Sequence, residues 1–218
     1  MSNRLYVQYG CGFHAPEEWI NFDASPTLVL EQMFFLKSVI RKNERKFPSN
    51  VKYGNIVKGL PIEKGTVTGL YASHILANLS REEFFIALIN SFGYLRPGGV
   101  FRLIVPDFEA RARYYLRCLE QGSSSANDTF MKDTALGVEQ RPRGAKEWLI
   151  HVFGRSRQLW MWDYPSMCVA LSNAGFTDIR RCRYGDSNDP MFSLVEEKSR
   201  FDDSRYIELA MEVRRPDA

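Results

Sequence analysis

Gly10, Cys11 and Gly12 close an apolar run, Leu5 to Tyr9, and an acid, Asp23, closes a second short run, Trp19 to Asp23, almost at once. Glycine adopts turn angles that other residues resist and lets a ligand approach the main chain. An acid at the end of the neighbouring strand can accept both hydroxyls of a ribose. That pairing is how α/β domains hold nucleoside cofactors at the carboxyl ends of their strands. The reading without a ligand is a tight strand-to-turn connection. Gly10 to Ala15 also fits G-x-G-x-x-A. A dinucleotide site, however, needs a full helix after the glycines and an acid about 20 residues further on. Here Asp23 comes too soon and Pro16 interrupts the gap, which disfavours a nicotinamide-dependent oxidoreductase. A nucleoside ligand without a pyrophosphate fits better.

The side chains suited to proton transfer are few. His74 follows an apolar run, Val67 to Ser73, and His151 lies in a tryptophan-rich stretch. Histidine is the side chain whose ordinary titration range suits a base near neutral pH. Each can equally be a structural hydrogen-bonding histidine. His14 is either a ligand contact or a solvated side chain. Asp107, after the apolar run Val100 to Val105, is either a base or a helix cap. No metal-ligand cluster has a convincing spacing.

The elements that must position these residues alternate. Strands are expected at Leu5–Tyr9, up to Asp23, at Val51–Val57, Val67–Ser73, Val100–Val105, Thr177–Arg183 and Tyr206–Val213. Helices are expected over Pro26–Ile40, from Ser80, from Asp107 to about Leu119, and over Pro165–Ala174 with Gly175 closing the last. Ser80 and Glu83 form a capping-box pattern, with Phe84, Leu88 and Phe92 as the buried stripe. Pro97-Gly98-Gly99 reads as a turn. Alternation of this kind implies right-handed crossovers and a mostly parallel sheet with covered faces. Gly122 to Asp128 reads as a mobile loop, and 129–163, with Trp148, Trp160 and Trp162, as irregular chain. The expectation is one domain over residues 1–218 with a lid or insertion at 122–163.

Composition bounds the partners. A net charge of +3 without a long basic run predicts neither nucleic-acid nor membrane binding. No apolar run is long enough to span a bilayer, and the first residues lack the apolar core of a signal peptide. Cys11, Cys118, Cys168 and Cys182 are far apart and read as reduced thiols of a cytoplasmic protein.

The ordered motifs resemble those of class I S-adenosylmethionine-dependent methyltransferases, in particular the small methyltransferase-domain proteins often associated with sugar and polysaccharide modification. The likeness covers most of the chain: Tyr9-Gly10-Cys11-Gly12, Trp19 to Asp23, Asn55 through Gly59-Leu60-Pro61, Tyr71 to His74, Leu95 to Gly99 followed by Phe101 to Asp107, and Gly175-Phe176. The resemblance implies a three-layer Rossmann-like fold with a seven-stranded, mostly parallel sheet whose last strand is antiparallel. It implies S-adenosyl-L-methionine as cofactor and methyl transfer to a small-molecule acceptor, a sugar or metabolite hydroxyl. Gly10, Cys11 and Gly12 would lie along the amino-acid moiety, Asp23 would take the ribose, Asn55 the adenine amine, and Ser73 and His74 would face cofactor and acceptor. His74 and His151 become the candidate bases. The chain departs from the pattern at Asn55, Thr68, Ala77 and Asn78, where relatives carry acidic or other polar groups. Family drift and a non-catalytic, regulatory cofactor-binding relative are the two readings of that departure.

Overall fold

The computed structural model of the chain describes residues 4–32, 46–137 and 158–217. Its strands are β1 (Leu5–Tyr9), β2 (Ile20–Asp23), β3 (Val51–Tyr53), β4 (Val67–Ser73), β5 (Leu95–Val105), β6 (Thr177–Arg181) and β7 (Leu209–Arg214). The helices are α1 (Pro26–Gln32), α2 (Arg81–Tyr94), α3 (Phe108–Glu120), α4 (Ala126–Asp133) and α5 (Tyr164–Asn173). The seven strands form one sheet in the order β3-β2-β1-β4-β5-β7-β6. Neighbours from β3 to β5 pair in parallel, and β7 runs antiparallel to both β5 and β6. This is the Rossmann-like methyltransferase architecture that the motifs imply. Among the described residues, no helix is long and apolar enough to cross a membrane.

Central strands need cover on both faces, which is why β4 and the second half of β5 are apolar almost throughout. Alternation sends Leu70, Ala72, Phe101 and Leu103 to one face, under Phe84 and Leu88 of α2 and Met167 and Leu171 of α5. Helix α2 starts where the capping box places it: Ser80 Oγ accepts the Glu83 N–H and the Glu83 carboxylate accepts the Ser80 N–H.

The other face is built differently. Parallel neighbours are normally joined through a crossover helix, yet residues 10–19, between β1 and β2, hold none. The bare face, with Tyr6, Tyr71, Ile104 and Ala210, is covered by the long connection between β6 and β7, residues 182–208. Phe192 of that connection packs edge-on against Trp19, and Trp19 donates its indole N–H to the Met191 carbonyl at 3.1 Å. Arg102 of β5 points to the same face and is only 1% exposed. It bonds to Glu196 at 2.7 Å and to Asp186 at 3.1 Å, both in the connection, and to Glu212 of β7.

Several boundaries differ from the sequence expectation. The third strand ends at Tyr53, because the Asn55 side chain accepts the Val57 N–H at 2.9 Å and turns the chain. The fifth strand begins earlier than expected. It runs through Pro97-Gly98-Gly99, with Gly98 at φ +70° and a register shift against β4 absorbing the turn. The last strand begins at Leu209; Asp202 and Ile207 bridge to each other just before it. Residues 126–133 are helical where loop and irregular chain were expected. Trp162 belongs to the core, 4% exposed and stacked on Phe84 at 4.2 Å. His151 and Trp148 lie outside the described residues, as does the second half of the expected Pro26–Ile40 helix.

Candidate active site

Strand order reverses about β1, with β2 on one side and β4 on the other, and such a switch point opens a crevice at the carboxyl ends of the strands. The glycine turn sits there. Gly10 and Gly12 adopt φ +67° and +56°, angles costly for any side chain with a Cβ. A Cβ on Gly10 would strike Ile75 at 2.7 Å, whereas a Cβ on Gly12 would meet open space. Asp23, 9% exposed, holds this turn in shape. One carboxylate oxygen accepts the Gly12 N–H at 2.9 Å and the other the Ser25 N–H at 2.7 Å. Each oxygen keeps a further lone pair. No helix follows Gly12, so no helix N-terminus is offered to a pyrophosphate.

Beside the turn lies a cavity of about 110 Å³ whose wall includes Gly10, Cys11, Tyr71, Ser73, Glu197 and Arg200. Two strand ends and the β6–β7 connection therefore meet around one polar space. The Tyr71 hydroxyl is buried there and, among the described residues, finds no hydrogen bond of normal geometry. Burial, with Glu196 adding, pushes its pKa up, and the nearby Ser73 hydroxyl only partly opposes this. An orphaned buried hydroxyl is costly unless a ligand or water completes it. His14 closes the rim, donating to the Leu194 carbonyl at 2.7 Å with Glu197 at 3.7 Å from its other ring nitrogen.

Cys11 is held inert. Burial, with Asp23 adding, raises its thiol pKa to about 12, so the thiolate needed for alkylation is scarce. Iodoacetamide at neutral pH is expected to leave Cys11 unmodified in the folded chain, as peptide mapping would read. Labelling of Cys11 as fast as a free thiol would contradict this geometry.

His74 caps β4 in a left-handed conformation, φ +56°, that is uncommon for a residue other than glycine. Its N–H bonds the Ile104 carbonyl at 2.8 Å, and the Asn78 side-chain amide donates to the His74 carbonyl at 3.3 Å. Its Nδ1 lies 3.0 Å from Ser73 Oγ, and its Nε2 faces Glu208 Oε1 at 3.9 Å. Asp107 is a helix cap: one oxygen accepts the Glu109 and Ala110 N–H groups at the start of α3. Burial raises its pKa, with those two bonds opposing.

The four departures from the resemblance now have places. Thr68 is at the opposite end of β4 from Ser73, beside Arg96 and Gly98, so its lack of charge leaves the crevice unaltered. The buried Ala77 offers its carbonyl to the N–H groups of Leu159 and Trp160, and Asn78 steadies His74. Asn55 is buried and its side-chain oxygen already holds the Val57 N–H. Tyr71, Glu197, Arg200 and Glu208 were not singled out from the sequence. The one signal for Glu208 was an acid, with Glu212, interrupting an apolar terminal run.

No family profile matches the sequence, and no curated protein matches it. Solved structures do. A SAM-dependent methyltransferase from Archaeoglobus fulgidus superposes with a TM-score of 0.51 at 13% identity, over 97% of this chain and 86% of its own. The CurJ carbon methyltransferase superposes with a TM-score of 0.50 at 12% identity, over 99% of this chain and 50% of its own. At such identities the likeness shows the fold shared with SAM-dependent methyltransferases.

Proposed function

We propose that the chain is an S-adenosyl-L-methionine-dependent methyltransferase acting on a small polar acceptor, an O-methyltransferase on a sugar or metabolite hydroxyl in the cytoplasm. The observation that carries the cofactor is the glycine turn at the β1/β4 crevice, tied to Asp23 and open above Gly12. The cavity beside it is smaller than the roughly 300–1,000 Å³ of pockets that enclose whole ligands. It suits one end of the cofactor, the amino-acid head, with the Tyr71 hydroxyl as polar partner and Ser73 at the edge toward the acceptor. The ribose then lies over Asp23, and the adenine extends toward Asn55. The cofactor supplies an activated methyl group, and the chain's own part is to position the acceptor and exclude water. The hydroxyl acceptor rests on the family resemblance and on the absence of a basic run for a nucleic acid, which would need several phosphate contacts.

Asp23→Ala is expected to weaken S-adenosylhomocysteine binding by about 1.5–3 kcal/mol, the range for a hydrogen bond to a charged group. Calorimetry on the folded variant reads this. Asp23→Asn, which keeps one acceptor oxygen for the turn, should lie between wild type and alanine. Equal affinities in all three would remove Asp23 from the site. Methyl transfer to a panel of hydroxylated compounds tests the acceptor; a panel in which only RNA or protein is methylated would overturn its class.

A further inference from the structure

The cavity wall carries the Ser73 hydroxyl, and the two ring nitrogens of the next residue point to different partners. We propose that Ser73, His74 and Glu208 form a proton relay, in which Ser73 takes the acceptor's proton and passes its own to His74, with Glu208 as the positioning residue behind the imidazole. The inference rests on the methyltransferase reading for the reaction it serves.

Glu208 is built to receive a proton-bearing ring. It is buried, and Arg111 of α3 grips both its oxygens at 2.9 Å. The Asp107 N–H donates to it at 3.1 Å. Arg111 is stacked in turn on the Tyr206 ring at 4.6 Å. Burial would raise the Glu208 pKa, but the contacts with His74 and Arg111 outweigh it and hold the carboxyl at about 2. It stays ionised near neutral pH. At 3.9 Å the carboxylate is beyond hydrogen-bond distance, but its charge favours the tautomer with Nε2–H toward it and leaves Nδ1 bare. The bare Nδ1 faces Ser73 Oγ, so the serine proton has somewhere to go. Backbone strain at His74 points the same way, since left-handed non-glycine residues persist where surroundings over-determine them.

The step balances. With S-adenosylmethionine bound, the acceptor oxygen would gain its methyl group and the sulfur would keep the carbon–sulfur electron pair as a neutral thioether. The acceptor's proton passes to Ser73 Oγ as the Ser73 proton passes to His74 Nδ1. The positive charge lost from sulfur reappears on the imidazolium, opposite Glu208. The ion triplet Glu208, Arg111 and imidazolium is then left with a single net positive charge.

Two measurements test the relay. Nitrogen-resolved NMR of the histidine rings, without cofactor and at a pH of about 8.5, above the ordinary histidine range, should show His74 carrying its proton on Nε2. A dominant Nδ1–H form would overturn the relay, because Nδ1 would then donate to Ser73 instead of accepting from it. This readout stands even if the chain proves to bind no S-adenosylmethionine. In turnover, Ser73→Ala should lower the rate by about 10²–10⁴-fold. Ser73→Thr, which keeps a hydroxyl, should restore most of it. The double variant Ser73→Ala/His74→Asn should be no slower than the slower single variant, within about threefold, because groups acting as one unit are not additive. Multiplied losses in the double variant, or a Ser73→Ala enzyme of normal rate, would overturn the proposal.

Discussion

Arg102→Leu is expected to cost about 3–5 kcal/mol of folding stability, because it strands buried carboxylates without their partner. Arg102 is 1% exposed and is surrounded by Glu196, Glu212 and Asp186. Glu196 already shows the burden of that burial. Its pKa is raised by desolvation, with the Gly185 N–H and Arg102 opposing. Removing Arg102 takes away part of that opposition. The sign of the pH dependence follows. The stranded charge is costly while Glu196 is ionised, and the cost shrinks as falling pH protonates it. Urea unfolding at about pH 8, well above the ordinary carboxylate range, and at about pH 5, just above it and closer to the raised Glu196, should therefore give a smaller difference from wild type at the acidic value. A surface control is Arg113→Ala, whose partner is Glu109 and whose side chain is 77% exposed. It should change stability by about 0–1 kcal/mol. Equal effects of the two substitutions would mean that the Arg102 network does not pin the β6–β7 connection. If it does, loosening that connection also withdraws Val195 and Glu197 from the cavity wall.

His74→Asn is expected to lower methyl-transfer turnover by about 10²–10⁴-fold, the usual contribution of a positioned proton acceptor. Asparagine is the informative replacement. The position has φ +56°, which asparagine tolerates and alanine resists. An alanine variant would mix lost chemistry with a strained turn above the cavity. Affinity for S-adenosylhomocysteine should stay within about threefold of wild type, since the cofactor contacts proposed for the chain run through Gly10, Gly12, Asp23, Asn55 and Tyr71 and none through the His74 ring. Normal turnover in His74→Asn would exclude it as the proton acceptor. A large loss of cofactor affinity would instead place His74 among the cofactor contacts.

What the sequence reveals here depends on how local the physics is. The strands Leu5–Tyr9 and Val67–Ser73, the acid at the end of β2 and the Ser80 capping box are legible because period, turn residues and caps lie within a few positions of each other. The glycine turn is legible for the same reason. The connection 182–208 is not. It has no period, and its work depends on Phe192 reaching Trp19 and on Glu196 and Asp186 reaching Arg102, partners far away along the chain. Arg102 inside an apolar strand was the visible trace of that cover, since a buried guanidinium demands carboxylates from somewhere. Glu208 escaped because it sits where the apolar run Tyr206–Val213 reads as strand, two residues after a turn that only the fold reveals. Thr68 shows the reverse. It reads as a departure from the family pattern, yet it lies at the far end of β4 from the crevice and bears on no contact there.

The most direct test of the account is calorimetry on the intact chain with S-adenosylmethionine, S-adenosylhomocysteine and NAD titrated in parallel. Binding of both sulfur nucleosides at one site per chain, with no heat from NAD, is the predicted result; binding of NAD alone, or of none of the three by a folded chain, would contradict it.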